Sequence, residues 1–331
     1  VPESASHDKH YLRITSKALA VFALTAACVP ALADQFPSRS ITVIIPAAPG
    51  GGTDTFGRKV AERAEKELGQ TMAIENKGGG SGSIGLSQVV TAKPDGYTVG
   101  FVWNSPITTI PHSLNVPYKR TDYSALMSIG YSSYVICVRP DFPAKTGKEL
   151  LDVLKSNPDK YTIGNDGVGG TMQLASERIF AKVGAKVRQV PFKGAGDTAK
   201  NFLGGHIDIY GGSIPPIQQH VMAGKAKCPL LTSAERNAAL PDASGLADVG
   251  LASEETVLWW GLIVPVKTPD AVKAKLEAAF MKAGASDEMK TVMANKGAVN
   301  RPLGAAETNK LIASEYDALE KVALSIGLKK K

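Results

Sequence analysis

The chain has 331 residues, of which 44% are hydrophobic and 21% charged, and it carries a formal net charge of +7. This is the composition of a globular protein with enough chain for two lobes with separate cores, and it excludes an extensively disordered protein. The positive charge is modest and partly lies in a C-terminal lysine run, Lys329–Lys331, so it does not indicate nucleic acid as a partner.

Residues 1–33 have the features of a cleavable secretory signal peptide. Basic residues precede an apolar run, Ala18–Val29, and Ala31–Ala33 has the small-x-small pattern of a cleavage site. An apolar run of about a dozen residues is too short to cross a bilayer, so the sequence predicts a soluble mature protein that begins near Asp34. A lipoprotein anchored through Cys28 is the alternative interpretation.

The next stretch combines a strand, a glycine loop and a helix start. Ile41–Ile45 is a β-branched apolar run, typical of a central strand covered on both faces. A Pro/Gly loop, Ala47–Gly52, follows, and Thr53 and Asp54 are expected to be N-caps of a helix that continues through Leu68. Such a turn directs unpaired N–H groups and a positive helix end at one point, which suits a carboxylate or phosphate. A tight turn without a ligand would have the same pattern.

Strands and helices alternate along the rest of the mature chain, which predicts parallel sheets. The first series contains strand Thr71–Glu75, helix Ile84–Ala92 and strand Tyr97–Trp103. A second series follows a stiff turn at residues 139–143; its predicted helices are 147–156, 171–183 and 197–203, and its predicted strands 161–164, 187–191, 207–210 and 230–232.

Two further predicted strands, Ser133–Val138 and Val257–Val264, have the position and length to cross between two lobes, and two crossings predict a hinge. They are therefore expected to lie side by side. Two amphipathic helices, Pro269–Ala283 and Ala305–Leu324, are predicted at the end of the chain.

Few residues of the mature chain suggest metal or redox chemistry. Cys137 and Cys228 lie in separate strand-like runs and could form a disulfide or remain as two buried thiols. His112, His206 and His220 are scattered and lack the spacing of metal ligands. We therefore expect no metal and no other cofactor.

A glycine motif, Gly80–Gly85, matches the GxGxxG pattern of dinucleotide-binding proteins. The next predicted strand ends at Trp103–Ser105 without an acidic residue to bind a ribose, so the context disfavours a nucleotide. The sequence has no GxSxG motif and no Ser/His/Asp set in the order of a known triad. An enzyme is therefore not predicted, and a secreted hydrolase remains the alternative of a different class.

Several short motifs occur in a fixed order along the mature chain: Pro49–Asp54, Glu75–Gly85, Lys93–Tyr97, Pro191–Gly194, Leu203–Asp208, and Trp260–Gly261 before Pro265. Through them the chain, from about Phe36 to Leu328, resembles the Bug-type extracytoplasmic solute receptors of tripartite tricarboxylate transporters. The resemblance implies an α/β, two-lobed periplasmic binding protein fold of type II, with two crossover strands at the hinge. Lobe 1 would comprise 34–135 and 258–331, and lobe 2 would comprise 136–257, each a mostly parallel sheet flanked by helices.

The same resemblance implies a function without catalysis. The protein would be a monomeric periplasmic receptor that captures a small organic carboxylate in the cleft between its lobes. It would deliver this ligand to the membrane permease subunits of a tripartite tricarboxylate-type transporter. A receptor of the same fold for an uncharged or cationic solute, or a ligand sensor for a signalling partner, is the alternative.

The resemblance also implies a ligand held by loop amides, hydroxyls and ordered water rather than by an arginine. The implied site residues are Ala48, Pro49, Gly51, Gly52, Thr53, Asp54, Ser81, Asn104 and Ser105 in lobe 1, and Gly167, Gly169, Gly170, Thr171, Gly194, Ala195 and Asp208 in lobe 2. Asp54 would organise its loop and anchor water, and Gly167–Thr171 would bind the proximal carboxylate through N–H groups.

Two positions depart from the family pattern. Trp103 stands where family members commonly have a small residue, and the loop Asp242–Glu255 lacks the usual Thr-Pro and Ala-Gly pattern. We expect Trp103 to be packed core, which leaves a polar cleft for a small dicarboxylate or amino acid. The alternative is that its indole floors the cleft and favours an apolar or aromatic ligand body.

Overall fold

One mixed sheet runs through residues 36–325, the part of the chain that the computed structural model describes. Its ten strands are β1 (Ile41–Ile45), β2 (Met72–Asn76), β3 (Thr98–Trp103), β4 (Tyr123–Val138), β5 (Thr162–Asn165), β6 (Arg188–Pro191), β7 (Ile209–Ser213), β8 (Lys227–Leu231), β9 (Val257–Pro265) and β10 (Ala298–Gly304). Their order is β2-β1-β3-β9-β4-β7-β5-β6, and β8 and β10 also pair with β4. The predicted signal peptide, Cys28 and the lysine tail lie outside the described residues.

Helices flank this sheet along the described chain. They are α1 (Gly52–Leu68), α2 (Ser83–Val90), α3 (Ile110–Ser113), α4 (Gly147–Ser156), α5 (Thr171–Val183), α6 (Ala195–Leu203), α7 (Pro215–Met222), α8 (Asp270–Gly284), α9 (Asp287–Asn295) and α10 (Ala305–Ser325). A π-helical turn, Ser105–Thr109, precedes α3. All these elements belong to one unit that starts at Arg39; the preceding residues 36–38 contain a cis Phe36–Pro37 bond.

The sheet has two parts with separate cores. In the first, β1 pairs in parallel with β2 and β3, and β9 runs antiparallel to β3. In the second, β5 pairs in parallel with β6 and β7. One buried cluster contains Ile44, Leu86 and Val102, and a different one contains Phe202 and Tyr210. The predicted alternation of strands and helices thus produces two lobes, each with parallel strands covered by helices.

The long strand β4 connects the two parts of the sheet. The segment from Tyr123 to Ser133 pairs with β9, whereas Tyr134–Val138 pairs with β7. The predicted segments Ser133–Val138 and Val257–Val264 meet at one pair only, Ser133 opposite Val257, so the expectation that they lie side by side was wrong. The first part of β4, which was not predicted, is the neighbour of β9. The sequence prediction identified only the last six residues of β4, because serines and a glycine interrupt the apolar pattern of its first part.

Most predicted boundaries agree with the structure within two residues, but the predicted start of α1 was wrong. This helix begins at Gly52 with Gly51 as N-cap, so Thr53 and Asp54 are inside its first turn and are not caps. The Asp54 side chain bonds back to the preceding loop instead. Helices α3, α7 and α9 and strand β10 were missed, because each is short and has a weak apolar period.

The structure resolves the alternatives for the two cysteines. Cys137 on β4 and Cys228 on β8 form a disulfide, which links two antiparallel neighbours within the second part of the sheet. None of the helices within residues 36–325 has the length and apolar character needed to cross a bilayer. The same residues contain no cluster of side chains suited to hold a metal ion.

Candidate functional site

A small cavity lies between the two lobes, where loops follow the carboxyl ends of β1, β5 and β7. It is lined by Ala47, Gly51, Gly52, Thr53, Trp103, Tyr134, Asp166, Gly194, Ala195, Ser213 and Leu258. Its volume is about 20 Å³, which is room for about one water molecule. The lobes are therefore closed on each other, and the cleft expected from the sequence is a narrow cavity in this conformation.

The loop of lobe 1 is held by Asp54, whose side chain is buried. Its carboxylate accepts hydrogen bonds from the backbone N–H of Gly50, from Arg58 Nε and from Asn76 Nδ2, each at 2.9 Å. Burial alone would raise the pKa of Asp54, but the Arg58 guanidinium and the Gly50 N–H outweigh that effect and lower it. Both carboxylate oxygens thus accept hydrogen bonds that connect the loop to α1 and β2.

The first turn of α1 contacts Ser213 of lobe 2 and Trp260 of strand β9. The Gly52 N–H donates to Ser213 Oγ at 3.2 Å, and Trp260 Nε1 donates to Thr53 Oγ1 at 3.2 Å. A Cβ at Gly52 would lie 2.9 Å from Ser213 Oγ and 3.2 Å from Trp260 Cζ2. Position 52 therefore requires glycine in the closed state.

The loop before α5 contacts lobe 1 through a series of hydroxyl groups. Ser81 Oγ donates to the Val168 carbonyl at 2.8 Å and Ser113 Oγ to the Gly169 carbonyl at 3.0 Å. The Thr171 N–H donates to Ser105 Oγ at 3.1 Å. Gly167 has φ +121, and a Cβ there would lie 2.3 Å from Ser81 Oγ. The N-terminus expected to bind a carboxylate is therefore capped by a lobe 1 hydroxyl when the lobes are closed.

The N-terminus of α6 meets that of α1 at the same cavity. The Ala48 N–H donates to the Lys193 carbonyl at 3.0 Å. A Cβ at Gly196 would lie 2.3 Å from the Pro49 carbonyl oxygen and 2.8 Å from the Gly51 nitrogen. Because the first N–H groups of a helix have no partner within the helix, these two ends give one wall of the cavity a positive potential.

The facing wall contains an acidic side chain that the sequence analysis did not select. Asp166 is 4% exposed and accepts hydrogen bonds from the Met172 N–H at 3.2 Å and Trp103 Nε1 at 3.4 Å. Burial raises the pKa of Asp166 to about 6, and hydrogen bonds from Trp103 and from the backbone N–H groups of Asp166, Met172 and Gln173 only partly offset that rise. No lysine, arginine or histidine is among the described residues that line the cavity.

Trp103 and Tyr134 complete this wall. Trp103 is buried, as expected, yet its indole also lines the cavity, so the two interpretations of this residue are not exclusive. Tyr134 is 2% exposed, and its hydroxyl has no partner at normal hydrogen-bond geometry among the described residues. A looser contact with the Thr171 side chain nevertheless favours its ionised form. Burial, reinforced by the charge of Asp166, raises the pKa of Tyr134 well above its usual value.

Two of the expected site residues lie elsewhere. Asp208 precedes β7 and accepts from the N–H and the hydroxyl of Thr162, at 2.9 and 2.8 Å, so it lies at the amino ends of the strands, opposite the cavity. The Asn104 amide nitrogen donates to the Val257 carbonyl and to Glu315 Oε1, at 3.1 and 2.9 Å, so this side chain is bound to the start of β9 and to α10.

The other expected residues come together at the cavity or at the lobe contacts around it: Ala48, Pro49, Gly51, Gly52, Thr53, Asp54, Ser81, Ser105, Gly167, Gly169, Gly170, Thr171, Gly194 and Ala195. The lining residues that were missed are Ala47, Tyr134, Asp166, Ser213 and Leu258. Asp166 could have been found, since it is the acidic residue within a predicted glycine loop after a strand.

The sequence of this chain is similar to those of known solute receptors. The model of the tripartite tricarboxylate transporter family receptor matches residues 56–328. A UPF0065 protein of Bordetella pertussis is 32% identical over 280 residues, which cover 84% of this chain and 87% of that protein.

Solved structures show the same fold. A protein described as a periplasmic transporter superposes with a TM-score of 0.85 at 33% identity, covering 89% of this chain and 99% of that one. MatC from Rhodopseudomonas palustris, solved with bound malate, superposes with a TM-score of 0.81 at 25% identity, covering 87% and 100%. The sheet order and the flanking helices are thus those of the two-lobed periplasmic binding protein fold. The chain belongs to the tripartite tricarboxylate transporter receptor family, a family of periplasmic solute-binding receptors and not of enzymes.

Proposed function

We propose that this receptor captures a small organic carboxylate between its two lobes and delivers it to the permease subunits of a tripartite tricarboxylate-type transporter. The observation that carries the proposal is the meeting of two helix N-termini, those of α1 at Gly52 and α6 at Ala195, at one cavity. Backbone N–H groups at helix starts bind anions without a cationic side chain. The malate in the similar protein MatC supports a ligand of this class.

The proposed binding cycle requires the lobes, residues 34–135 with 258–331 and residues 136–257, to separate and close. In the closed state the hydrogen bonds from Gly52 to Ser213 and from Ser81 to Val168 join the lobes over the cavity. A ligand can enter only when such bonds break, and β4 is the continuous strand about which the lobes would rotate. We also propose that the chain reaches the periplasm through cleavage of residues 1–33.

The experiment is a thermal-shift screen of the purified mature protein against a panel of mono- and dicarboxylates. A ligand at a hundred times its dissociation constant adds about 2.7 kcal/mol to the free energy of unfolding, which gives a readily measured rise in melting temperature. If none of the acids shifts the melting temperature while neutral solutes or amines do, the carboxylate proposal is wrong.

A pair of charge variants tests the role of the helix N-termini. Ala195→Asp places a carboxylate at the start of α6, where it should repel an anionic ligand and weaken binding about tenfold or more, equivalent to about 1.4 kcal/mol. Leu203→Asp adds the same charge at the exposed far end of α6 and should leave binding unchanged. Equal affinities for the two variants would argue that the N-terminus of α6 does not contact the ligand.

A further inference from the structure

The segment that follows β3, residues 104–113, presents hydroxyl groups to lobe 2. Ser105 Oγ accepts a hydrogen bond from the Thr171 N–H at 3.1 Å, and the hydroxyl oxygens of Thr109 and Thr171 are 2.8 Å apart. Ser113 Oγ donates at 3.0 Å to a carbonyl of the loop before α5. Positions 105, 109 and 113 are four residues apart, so their side chains lie on one face of a helical segment. That face holds the start of α5 from the opposite lobe.

The neighbouring face of the same segment is bound to the C-terminal helix α10. Glu315 Oε1 accepts hydrogen bonds from Asn104 Nδ2 at 2.9 Å and from Thr108 Oγ1 at 2.8 Å. Glu315 Oε2 accepts from the indole N–H of Trp259 on β9. Positions 104 and 108 each directly precede one of the hydroxyls that contact α5. One carboxylate therefore joins α10, β9 and the segment that contacts lobe 2.

The part of this segment that bears Ser105 and Thr109 depends on side chains for its position. It is a π-helical turn, Ser105–Thr109, a rare conformation that is frequent at functional sites. The Tyr118 hydroxyl donates to the Pro106 carbonyl of this turn at 2.7 Å. Glu315 is its second support, and hydrogen bonds to an ionised carboxylate are stronger than those between neutral groups. Loss of the carboxylate would remove this support.

We infer that Glu315 is a positioning residue of the solute-binding site. It fixes the π-helical turn so that the hydroxyls of Ser105 and Thr109 meet Thr171 when the lobes close. Glu315 is not one of the described residues that line the cavity, so it acts through this turn. The inference is independent of the chemical class of the solute, and failure of the carboxylate proposal would leave it intact. The competing explanation is that Glu315 only attaches α10 to the sheet.

Two amide groups at the start of α5 provide the measurement. The first N–H groups of a helix have no partner within the helix, so their protection from exchange with water depends on other acceptors. The Thr171 N–H bonds across the lobes to Ser105, whereas the Met172 N–H bonds within lobe 2, to Asp166 Oδ1 at 3.2 Å. The ratio of the two exchange rates, measured by NMR on the ligand-free protein, therefore reports the contact between the lobes.

Glu315→Met keeps a long side chain and removes both acceptor oxygens. Thr171 should then exchange about fivefold faster or more relative to Met172, the factor expected when one hydrogen bond of ordinary net strength is lost. Thr108→Val removes one of the donors to Glu315 and keeps the shape of the side chain, so it should change the ratio in the same direction. This second variant serves as the test if Glu315→Met does not fold.

Two control variants lie on the same helix. Glu320→Met makes the matched substitution at an exposed position of α10. Thr308→Val removes a buried hydroxyl that donates to the Leu303 carbonyl at 3.0 Å, so it weakens the start of α10 at a position remote in sequence from Glu315. Both should leave the ratio unchanged. If Thr308→Val changes the ratio as much as Glu315→Met does, Glu315 only attaches the helix and the inference is overturned.

A double variant tests whether Glu315 acts through Ser105. In Ser105→Ala the Thr171 N–H has already lost its acceptor, so the addition of Glu315→Met should accelerate its exchange no further. A further acceleration as large as that in the wild-type background would overturn the inference. So would an unchanged ratio in Glu315→Met, an unchanged ratio in Thr108→Val when Glu315→Met does not fold, or a wild-type ratio equal to that of Ser105→Ala.

Discussion

The indole N–H of Trp103, the last residue of β3 in lobe 1, donates to the carboxylate of Asp166 in lobe 2 at 3.4 Å. Both side chains are buried and both line the cavity. This bond therefore crosses the cleft at the position where a ligand would bind, and it couples the ionisation of Asp166 to the contact between the lobes. A weak donor at this distance can be displaced by a ligand with a stronger one.

Replacement of Trp103 by phenylalanine should raise the pKa of Asp166. Burial raises this pKa, and the Trp103 hydrogen bond is the first of the effects that lower it again. The substitution Trp103→Phe keeps an aromatic ring at this position and removes the donor. Titration of a carbon-13-labelled aspartate carboxyl by NMR measures the change, and the Asp54 carboxyl in the same spectra is the internal control. An unaltered midpoint for Asp166 would show that the indole does not stabilise its ionised form.

Asp166 should also make the stability of the protein depend on pH in a defined direction. Its pKa in the folded protein is about 6, against 3.8 for the unperturbed group, so the folded state binds the proton more tightly than the unfolded state. The free energy of unfolding therefore falls as pH rises from about 4 to 6, by on the order of 3 kcal/mol, and the loss is complete above that range. Asp166→Asn should lack this component.

Denaturant unfolding of the wild type and of Asp166→Asn at several pH values isolates the effect, because other titrating groups contribute equally to both proteins. The stability difference should change in favour of the variant between pH 4 and 7 and stay constant above pH 7. Two parallel curves of stability against pH would show that the folded protein compensates the buried charge of Asp166, so that its pKa is not raised.

The disulfide between Cys137 and Cys228 should contribute to stability and not to ligand binding. It closes a loop with a sequence separation of 91 residues, and neither cysteine lines the cavity. Loss of such a cross-link costs about 2–4 kcal/mol, chiefly through the greater freedom of the unfolded chain. The double variant Cys137→Ala, Cys228→Ala should unfold at a lower denaturant concentration with unchanged affinity for its ligand. An affinity that falls together with stability would contradict this separation.

Gly167→Ala should weaken ligand binding through its effect on the closed state. The residue has φ +121, and a Cβ would lie 2.3 Å from Ser81 Oγ in the opposite lobe, so closure would be obstructed. Gly184→Ala is the matched control: it also has a positive φ, +73, but a Cβ there meets nothing within 4 Å. We expect both variants to lose about 1–3 kcal/mol of stability.

Only the first of these glycine variants should lose affinity. Small-angle scattering with saturating ligand adds a direct measure of closure, since the radius of gyration should fall for the wild type and for Gly184→Ala. A Gly167→Ala protein that contracts as fully as the wild type would show that the Ser81 contact does not limit closure.

The sequence predicted those parts of the site that depend on local pattern. The strand β1, its glycine loop and helix α1 follow from consecutive residues, and the motifs that carry the family resemblance fix the corresponding loops of lobe 2. The burial of Asp166 and its raised pKa could not be predicted in this way, because they depend on contacts with Trp103, which lies 63 positions earlier in the chain. In the sequence, Asp166 is only one polar residue in a glycine loop, and no local pattern distinguishes it.

The two misplaced residues have the same explanation. Asn104 follows a strand that ends at the cleft, but its amide is bound by Glu315, 211 positions later. Asp208 is the last residue of the motif Leu203–Asp208, yet its partner is Thr162 at the start of a neighbouring strand. Position along the chain indicates the end of the sheet at which a loop lies, whereas the direction of a side chain depends on distant segments.

The hydrogen bond from the Thr171 N–H to Ser105 Oγ means that the receptor contains its own substitute for an oxygen of the ligand. A carboxylate that binds at the N-terminus of α5 must first displace this serine hydroxyl. The free energy of binding is therefore a difference between the interactions of two competing acceptors with this N–H group. The apparent affinity is reduced by the fraction of molecules in which the serine hydroxyl is engaged. Removal of this hydroxyl, as in Ser105→Ala, would free the Thr171 N–H for an oxygen of the ligand and should therefore raise the affinity for a carboxylate.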